Sequence, residues 1–432
     1  MGFADQYLKK QKDSIPRIKS APQNDLRYAV VIPCYYENRL IDSLESLNNC
    51  VRPKGTVEII VVINSSVNAD DSIKEQNLQT YKEATDWIKD HSDSKFCYHI
   101  IYVPDLSPKY AGAGYARKIG MDEAVWRFNL IRKDSGIIVS FDADSICDNN
   151  YLTEIENYYN EYPFANGSSI YFEHPLSGDD FSDSVYRAIA LYELHLRYYI
   201  QALRNISFPY AFHTVGACFT VKALSYIKQG GMNKRKAGED FYFLHKIIPL
   251  GNYADVNSTR VIPSPRPSHR VPFGTGPAIK KFLLDSEAEF MTYNPESFRD
   301  LRELFNIVPE FFKQNQEYIK DKIKELPVPV KEFLNENKAV YKINEINNNC
   351  NNINSFTRRF YNWFNAFTVL KFLNFCSSNY YPRISVVSAT NILLKRLELL
   401  DYKNSNEFEL LKLLRQHEKN QRYYTNILLT GK

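Results

Sequence analysis

The chain has 432 residues, 44% hydrophobic and 24% charged, the balance of a globular protein with two or three domains and a real core. Its 54 Lys plus Arg against 50 Asp plus Glu leave a formal charge of +4, too small for this length to indicate a nucleic acid partner. Cysteines at 34, 50, 97, 147, 218, 350 and 376 are odd in number and contain no CxxC pair, which indicates neither a disulfide framework nor a structural zinc site and fits a reducing compartment.

Residues 1–25 read as a polar arm, and Met1 to Lys19 has no apolar stretch of the signal-peptide kind. Tyr28 to Ile32 is a β-branched run ended by Pro33, hence a buried strand and a turn. Leu40, Ile41, Leu44 and Leu47 then have helical spacing. Val57 to Ile63 is a second strand, ended by Asn64, Ser65 and Ser66, and a polar helix follows over 70–90. His99 to Val103 is a third strand, ended by Pro104; Ala116 to Phe128 is helical; Ile137 to Phe141 is a fourth strand, ended by Asp142. Strands alternating with helices predict a mainly parallel sheet, with ligands at the strands' carboxyl ends.

Further on, Asp183 to Leu203 reads as a long amphipathic helix, and Val261 to Pro277, with five prolines and two glycines, as an irregular loop. Helical patterns follow at 280–291, 295–305, 317–324, 357–375, 385–400 and 406–428, with an Asn-rich surface connection at 343–355. The domains are therefore expected as an arm over 1–25, an α/β domain over 26–285 and a helical region over 286–432. No stretch of about 18 apolar residues is present to span a bilayer. The protein is expected to be cytoplasmic, at most peripheral on the inner face of a membrane.

Asp142-Ala143-Asp144 places two carboxylates just after a buried strand. Alternate residues of an extended segment share a face, and two hard oxygen donors on one face suit Mg²⁺ or Mn²⁺ that also binds phosphate oxygens. A helix N-cap accounts for one such Asp but less readily for two. An Asp-x-Asp also opens the haloacid dehalogenase phosphatases, but there it ends the first strand, and here three βα units precede it.

Glu239 and Asp240 follow Gly238 and open a helix-like segment. Acids suit a helix start through its dipole, and a carboxylate facing a sugar would also deprotonate an acceptor hydroxyl. His269 lies between Arg266 and Arg270 in the Pro/Gly-rich loop, where a core role is disfavoured; it would complete a metal's coordination while an arginine pairs with phosphate. The run Asn233-Lys234-Arg235-Lys236 reads as a solvated loop. The aromatic stripe Phe360, Trp363, Phe364, Phe367 reads as helix core, with an interfacial membrane helix as its alternative. The 31 tyrosines would suit sugar contacts, but composition bias explains them as well.

Over residues 28–285 these pieces resemble the family 2 glycosyltransferases of GT-A fold. The resemblance rests on Val30 to Asn38, Glu58 to Ser66, Gly112 to Gly120, Phe141 to Asp144, Gly216 to Cys218 and Gly238 to Asp240. It implies a nucleotide-diphospho-sugar transferase fold, a Rossmann-like mixed sheet with a C-terminal helical region, and an inverting displacement. By this likeness Pro33, Tyr35, Glu37, Asn64, Arg117, Asp142 and Arg270 contact the nucleotide-sugar. Asp142, Asp144 and His269 hold the metal; Asp240 is the general base, with Glu239 beside it. The family's base-contacting Asp is Asn64 here, which leaves UDP- and GDP-sugars both open as donors. The acceptor is expected to be a saccharide or lipid-linked hydroxyl, in polysaccharide or glycoconjugate synthesis. The alternatives are a non-catalytic nucleotide-sugar binding protein and a metal-dependent nucleotidyltransferase.

Overall fold

The computed structural model describes residues 2–11, 15–235, 238–268, 274–284, 289–399 and 405–425. Contacts divide the chain into two compact units. The first is Met1–Ile189, Thr214–Leu284 and Glu418–Tyr424; the second is Ala190–His213, Asp285–His417 and Thr425–Lys432. This division is less simple than a cut near residue 285, because residues 190–213 go with the helical region and 418–424 go with the sheet.

In chain order the first unit opens with α1 (Asp5–Lys10), β1 (Leu26–Cys34), α2 (Leu40–Asn48), β2 (Thr56–Ser66), α3 (Asp71–His91) and β3 (Phe96–Leu106). Next come α4 (Ala113–Leu130), β4 (Ile137–Ser140), β5 (Ser145–Cys147), α5 (Tyr151–Glu161), β6 (Gly167–Phe172) and α6 (Asp183–Asn205), whose later turns belong to the second unit. The unit closes with β7 (Phe219–Lys222), α7 (Ala223–Lys228), α8 (Glu239–Ile247), β8 (Tyr253–Pro263) and α9 (Thr275–Leu284). Among the described residues the strands form one sheet in the order β3-β2-β1-β4-β7-β6-β8-β5.

The first four strands are parallel, and β7 is antiparallel to both β4 and β6. The sheet is therefore mixed. Strand order reverses between β1 and β4, because the chain builds outward through β2 and β3 and then returns to the other side of β1. At such a switch point the loops leaving two adjacent strands diverge and open a crevice at their carboxyl ends.

β1, β2 and β4 are buried nearly throughout, as near-continuous Val and Ile runs demand of strands covered on both faces. Two prolines expected to stop strands do not. β1 continues through Pro33 to Cys34, where its pairing with β4 has already ended at Val31 and no ladder bond on that side is lost. β3 continues through Pro104 because it is an edge strand, where a missing N–H faces no neighbour. β2 likewise runs on through Asn64, Ser65 and Ser66.

The arm is docked rather than free. Tyr7 of α1 donates to Asp122 of α4 at 2.7 Å, and Glu123 accepts from the backbone N–H groups of Arg17 and Ile18 at 2.8 and 3.1 Å. The expected loop over 261–277 is shorter than the prolines suggest, since Val261 to Pro263 end β8 and α9 starts at Thr275.

In the second unit, the remainder of α6 is joined by β9 (Met291–Thr292), α10 (Pro295–Ile307), α11 (Gln316–Glu325), α12 (Val328–Glu336), α13 (Ala339–Asn348), α14 (Ile353–Trp363), α15 (Ala366–Asn379), β10 (Ile384–Ser385), α16 (Val386–Arg396) and α17 (Glu407–Asn420). The helix expected over 357–375 is broken in two. Asn365 caps α15 by accepting from the N–H groups of Phe367 and Thr368, at 3.0 and 3.2 Å. The aromatic stripe packs inward: Phe360 and Phe364 are buried, and Phe364 meets Phe305 at a ring separation of 5.8 Å. No helix among the described residues is long and apolar enough to cross a membrane.

Candidate active site

The switch point puts the loop after β1, Tyr35 to Glu37, beside the loop after β4, Asp142 to Asp144. Asp142 and Asp144 are partly exposed, while Ala143 between them is buried and its carbonyl accepts from Ser43 of α2 at 2.9 Å. The segment is a turn and not the extended strand end expected, with Ser145 N–H donating back to the Asp142 carbonyl at 3.1 Å, and both carboxylates stay partly open. The two carboxylates are not equivalent, because each meets a different arginine.

Asp142 accepts from Arg117 at 2.9 Å. Arg117 is 2% exposed and is held on four sides. Its guanidinium also donates to Ser140 at 2.6 Å, to the carbonyl of Gly216 at 3.1 Å and to Glu239 at 3.3 Å. Burial alone would weaken its charge, but Asp142, Glu239 and Asp240 more than offset this and keep it protonated. Gly216 shows how close the acids lie: a Cβ there would sit 2.8 Å from Arg117 Nη2 and 3.2 Å from Asp240 Oδ2.

One buried cation therefore joins the strand-tip acid Asp142 to the acids that open α8. Gly238, left-handed at φ 66°, turns the chain into that helix. Gly114 lets the starts of α4 and α8 touch, since a Cβ on it would lie 2.0 Å from the Arg235 carbonyl. Burial, then the charge of Glu239, pushes the Asp240 carboxyl up to about 7, with Arg117 pulling the other way. A carboxyl poised near neutrality is suited to taking a proton.

Asp144 meets Arg266. The guanidinium of Arg266 lies 3.4 Å from Asp144 Oδ2 and also pairs with Glu37, which is 1% exposed. Asp144 keeps 29% of its side chain open. Burial first, then the neighbouring charges of Asp142 and Glu37, raises its carboxyl to about 7, and Arg266 relieves this only in part. Crowded acids of this kind are what a bound cation stabilises. Among the described residues no cluster of three or more His, Cys, Asp or Glu is arranged to hold a metal alone. The donor set nonetheless fits Mg²⁺ or Mn²⁺ held by one or two carboxylates and completed by substrate phosphates and water. His269 and Arg270 lie outside the described residues.

Three residues expected at the site are held by protein groups. Asn64 is fully buried; it donates to the Cys34 carbonyl and accepts from Gly112 N–H, each at 3.1 Å, so it straps β1 to the loop before α4. Arg117 is buried and its hydrogen bonds go to Ser140, Gly216, Asp142 and Glu239. Glu239, 5% exposed against Arg117, is a counter-charge and not a group open to substrate. Pro33 is buried in β1, whereas Tyr35 is half-buried in the loop beyond it.

Ser140 was not singled out by sequence reasoning, and neither was the pairing of Glu37 with Arg266, although each of those two residues was expected near the nucleotide-sugar. Ser140 is legible only as the last residue of β4, and the pairing of residues 229 positions apart leaves no local signal. The basic run before α8 is not merely solvated: the Lys234 ammonium lies 5.1 and 5.3 Å from the rings of Tyr110 and Tyr115, and the Arg235 guanidinium 3.6 Å over Tyr242. Lys236 lies outside the described residues.

A mixed sheet with a switch point between β1 and β4, and acids gathered on its carboxyl edge, agrees with the Rossmann-like mixed sheet expected from the sequence, and a helical region is present in the C-terminal part of the chain. No protein-family model matches the chain, and no curated protein matches it in sequence. Among solved structures it is similar to S. aureus TarS 1-349 in complex with UDP-GlcNAc, at 12% identity and a TM-score of 0.37, over 91% of each chain. It is also similar to GalNAc-T7 with UDP, GalNAc and Mn2+, at 14% identity and a TM-score of 0.35, over 66% of this chain and 51% of that one. At these values the likeness says nothing of ligand or activity.

Proposed function

We propose that the protein is a metal-assisted, inverting glycosyltransferase that moves a sugar from a nucleotide-diphosphate donor to a hydroxyl acceptor. One observation carries this reading: Arg117 bonds Asp142 at the tip of β4 and Glu239 at the start of α8, and Asp240 approaches the same Gly216 turn as Arg117, so a site for a leaving diphosphate and a proton acceptor share one crevice. Asp144 and Asp142 are the residues that would hold a divalent cation, which supplies positive charge against the departing diphosphate. His269 and Arg270 are retained as a further ligand and a phosphate partner.

The remaining work falls to this chain's own groups. Asp240, unprotonated, takes the proton of the acceptor hydroxyl as that oxygen attacks the anomeric carbon from the side opposite the leaving group. Arg117 holds Asp142 and Glu239 in place, so the site needs little rearrangement when charge shifts. Arg266 is positioned to pass from Glu37 and Asp144 to phosphate oxygens. Tyr35 lines the donor side beyond β1. The donor is a UDP- or GDP-sugar, and the acceptor a saccharide or lipid-linked hydroxyl.

The test is release of nucleoside diphosphate from a panel of UDP-, GDP- and dTDP-sugars with Mn²⁺ or Mg²⁺, with and without acceptor sugars. Metal-dependent release from at least one donor is expected, abolished in Asp144→Ala. Binding without any turnover would make the chain a sugar-nucleotide binding protein, and release of pyrophosphate would make it a nucleotidyltransferase.

A further inference from the structure

We propose that Cys50 and Cys147 form an oxidation site, a thiol pair that a small peroxide converts to a reversible disulfide. All seven cysteines are free thiols, and these two sulfurs lie 3.6 Å apart although 97 positions separate them. Cys50 follows the end of α2, and Cys147 ends β5, the strand that begins immediately after Asp144. Both are buried, at 4% and 9% exposure, so a small oxidant suits them better than a bulky disulfide. A disulfide requires ~2.05 Å between sulfurs, so they have to close by about 1.5 Å.

The surroundings distinguish the two thiols. The two sulfurs are in hydrogen-bond contact, and this contact with Cys147 holds the Cys50 thiol below its ordinary value despite burial. Burial, and then Cys50 itself, raises Cys147 well above the usual range. Cys50 is therefore the sulfur that ionises first, and the thiolate is the nucleophile. Ser46 accepts Cys147 N–H on its hydroxyl at 2.7 Å and so fixes the register of β5 against α2.

The chemistry balances with hydrogen peroxide as the oxidant. The Cys50 thiolate attacks one peroxide oxygen, the O–O bond breaks, and hydroxide leaves to give a sulfenic acid. The Cys147 sulfur then attacks the Cys50 sulfur; the S–S bond forms, and the sulfenic hydroxyl departs with the Cys147 proton as water. Two thiols lose two electrons, and peroxide becomes two waters once hydroxide takes up the proton that Cys50 had released.

The site is tested on the folded full chain, independently of any transferase activity. After limited peroxide, remaining thiols are alkylated in denaturant and the digest is mapped without reductant. A cross-linked Cys50–Cys147 peptide is expected, lost with dithiothreitol, while Cys34, Cys218, Cys350 and Cys376 stay alkylatable. Recovery of Cys50 and Cys147 as alkylated or sulfinic peptides, with no cross-link, overturns the proposal. In Cys147→Ser the sulfenic acid should accumulate on Cys50 and be captured by dimedone. Capture at other cysteines but not at Cys50 overturns the assigned order, and should that variant not fold, the wild-type map still decides the cross-link.

Discussion

Asp240 is the residue on which the proposed chemistry turns. Replacing it by Asn keeps its shape and removes its basicity, so transfer is expected to fall by ~100–10,000-fold with donor binding retained. Because burial and Glu239 raise its carboxyl to about 7, the base form is lost as pH falls through that value. The wild-type rate should therefore rise with pH toward 7, and the residual rate of Asp240→Asn should lack that limb; a pH profile of initial rates checks both. Arg117 fails differently. Its substitution by Met strands Asp142 and Glu239 around an uncharged side chain, the situation that typically costs about 3–5 kcal/mol when one partner of a buried ion pair is removed. A denaturant titration should show that loss; unchanged stability would mean that Arg117 is not the hub. Gly216→Ala separates positioning from folding. Its Cβ must push Arg117 or Asp240 aside, so transfer should drop by ~10–100-fold while far-ultraviolet dichroism stays that of the wild type. Of this site the acids were legible in sequence, because Asp-Ala-Asp after a Val/Ile run and Gly-Glu-Asp before a helix are local patterns. The arginine that unites them was legible only as a family position, and its true partners come from α8, β4 and the Gly216 turn, which no local pattern joins.

At the scale of elements, α4 matters most, because it carries Arg117 into the crevice and docks the arm through Asp122 and Glu123. It lies on β1 and β2 through Gly120, where an added Cβ would be 2.5 Å from Val31 Cγ1 and 3.1 Å from Val62 Cγ2. Two effects compete in Gly120→Ala. Helix propensity favours alanine by about 1 kcal/mol, and overpacking typically costs about 1–3 kcal/mol. The contact at 2.5 Å is to a side chain of a buried central strand that cannot retreat, so overpacking should win, with a net loss of up to ~2 kcal/mol in urea unfolding. The βα alternation of this half was readable because buried parallel strands are continuous apolar runs. What was misread were ends. Pro33 and Pro104 looked like stops, but a proline ends a strand only where its missing N–H has a partner to lose. In the second unit α12 and α13 were missed because Pro327, Pro329 and an Asn-rich stretch masked short amphipathic turns, and the single stripe over 357–375 hid the Asn365 cap.

At the scale of the whole molecule, buried titratable groups set how stability follows pH, and the acids and histidines act in opposite senses. Asp144 and Asp240, raised to about 7, hold protons in the folded state that the unfolded chain releases above its ordinary value of 3.8; their contribution therefore weakens as pH rises from about 4 to 7. Three histidines do the reverse. Burial lowers His99 and His195 to about 4 and His245 to about 3, with Arg127 adding to the effect at His99 and Arg383 at His195. Below pH 6.5 the unfolded chain takes up protons that these folded imidazoles refuse, so their stabilising share is present at neutral pH and lost as pH falls from 6.5 toward 4. The two sets largely cancel in a wild-type melting curve, and a single substitution is needed to expose one of them. His99 is the suitable site: it lies on β3, away from the acid crevice, with its side chain 16% exposed beside Glu58 and Arg127. His99→Phe keeps the ring in the sheet and removes the titration. At pH 8 the variant should differ from wild type only by packing. At pH 5, about 1.5 units below the unfolded value, it should have gained up to ~2 kcal/mol on wild type, a rise of a few degrees in relative melting temperature. A difference that stays constant from pH 8 to 5 would show that His99 is protonated as readily in the fold as in water, and that the Arg127–Glu58 pair beside it is more open to solvent than its burial implies.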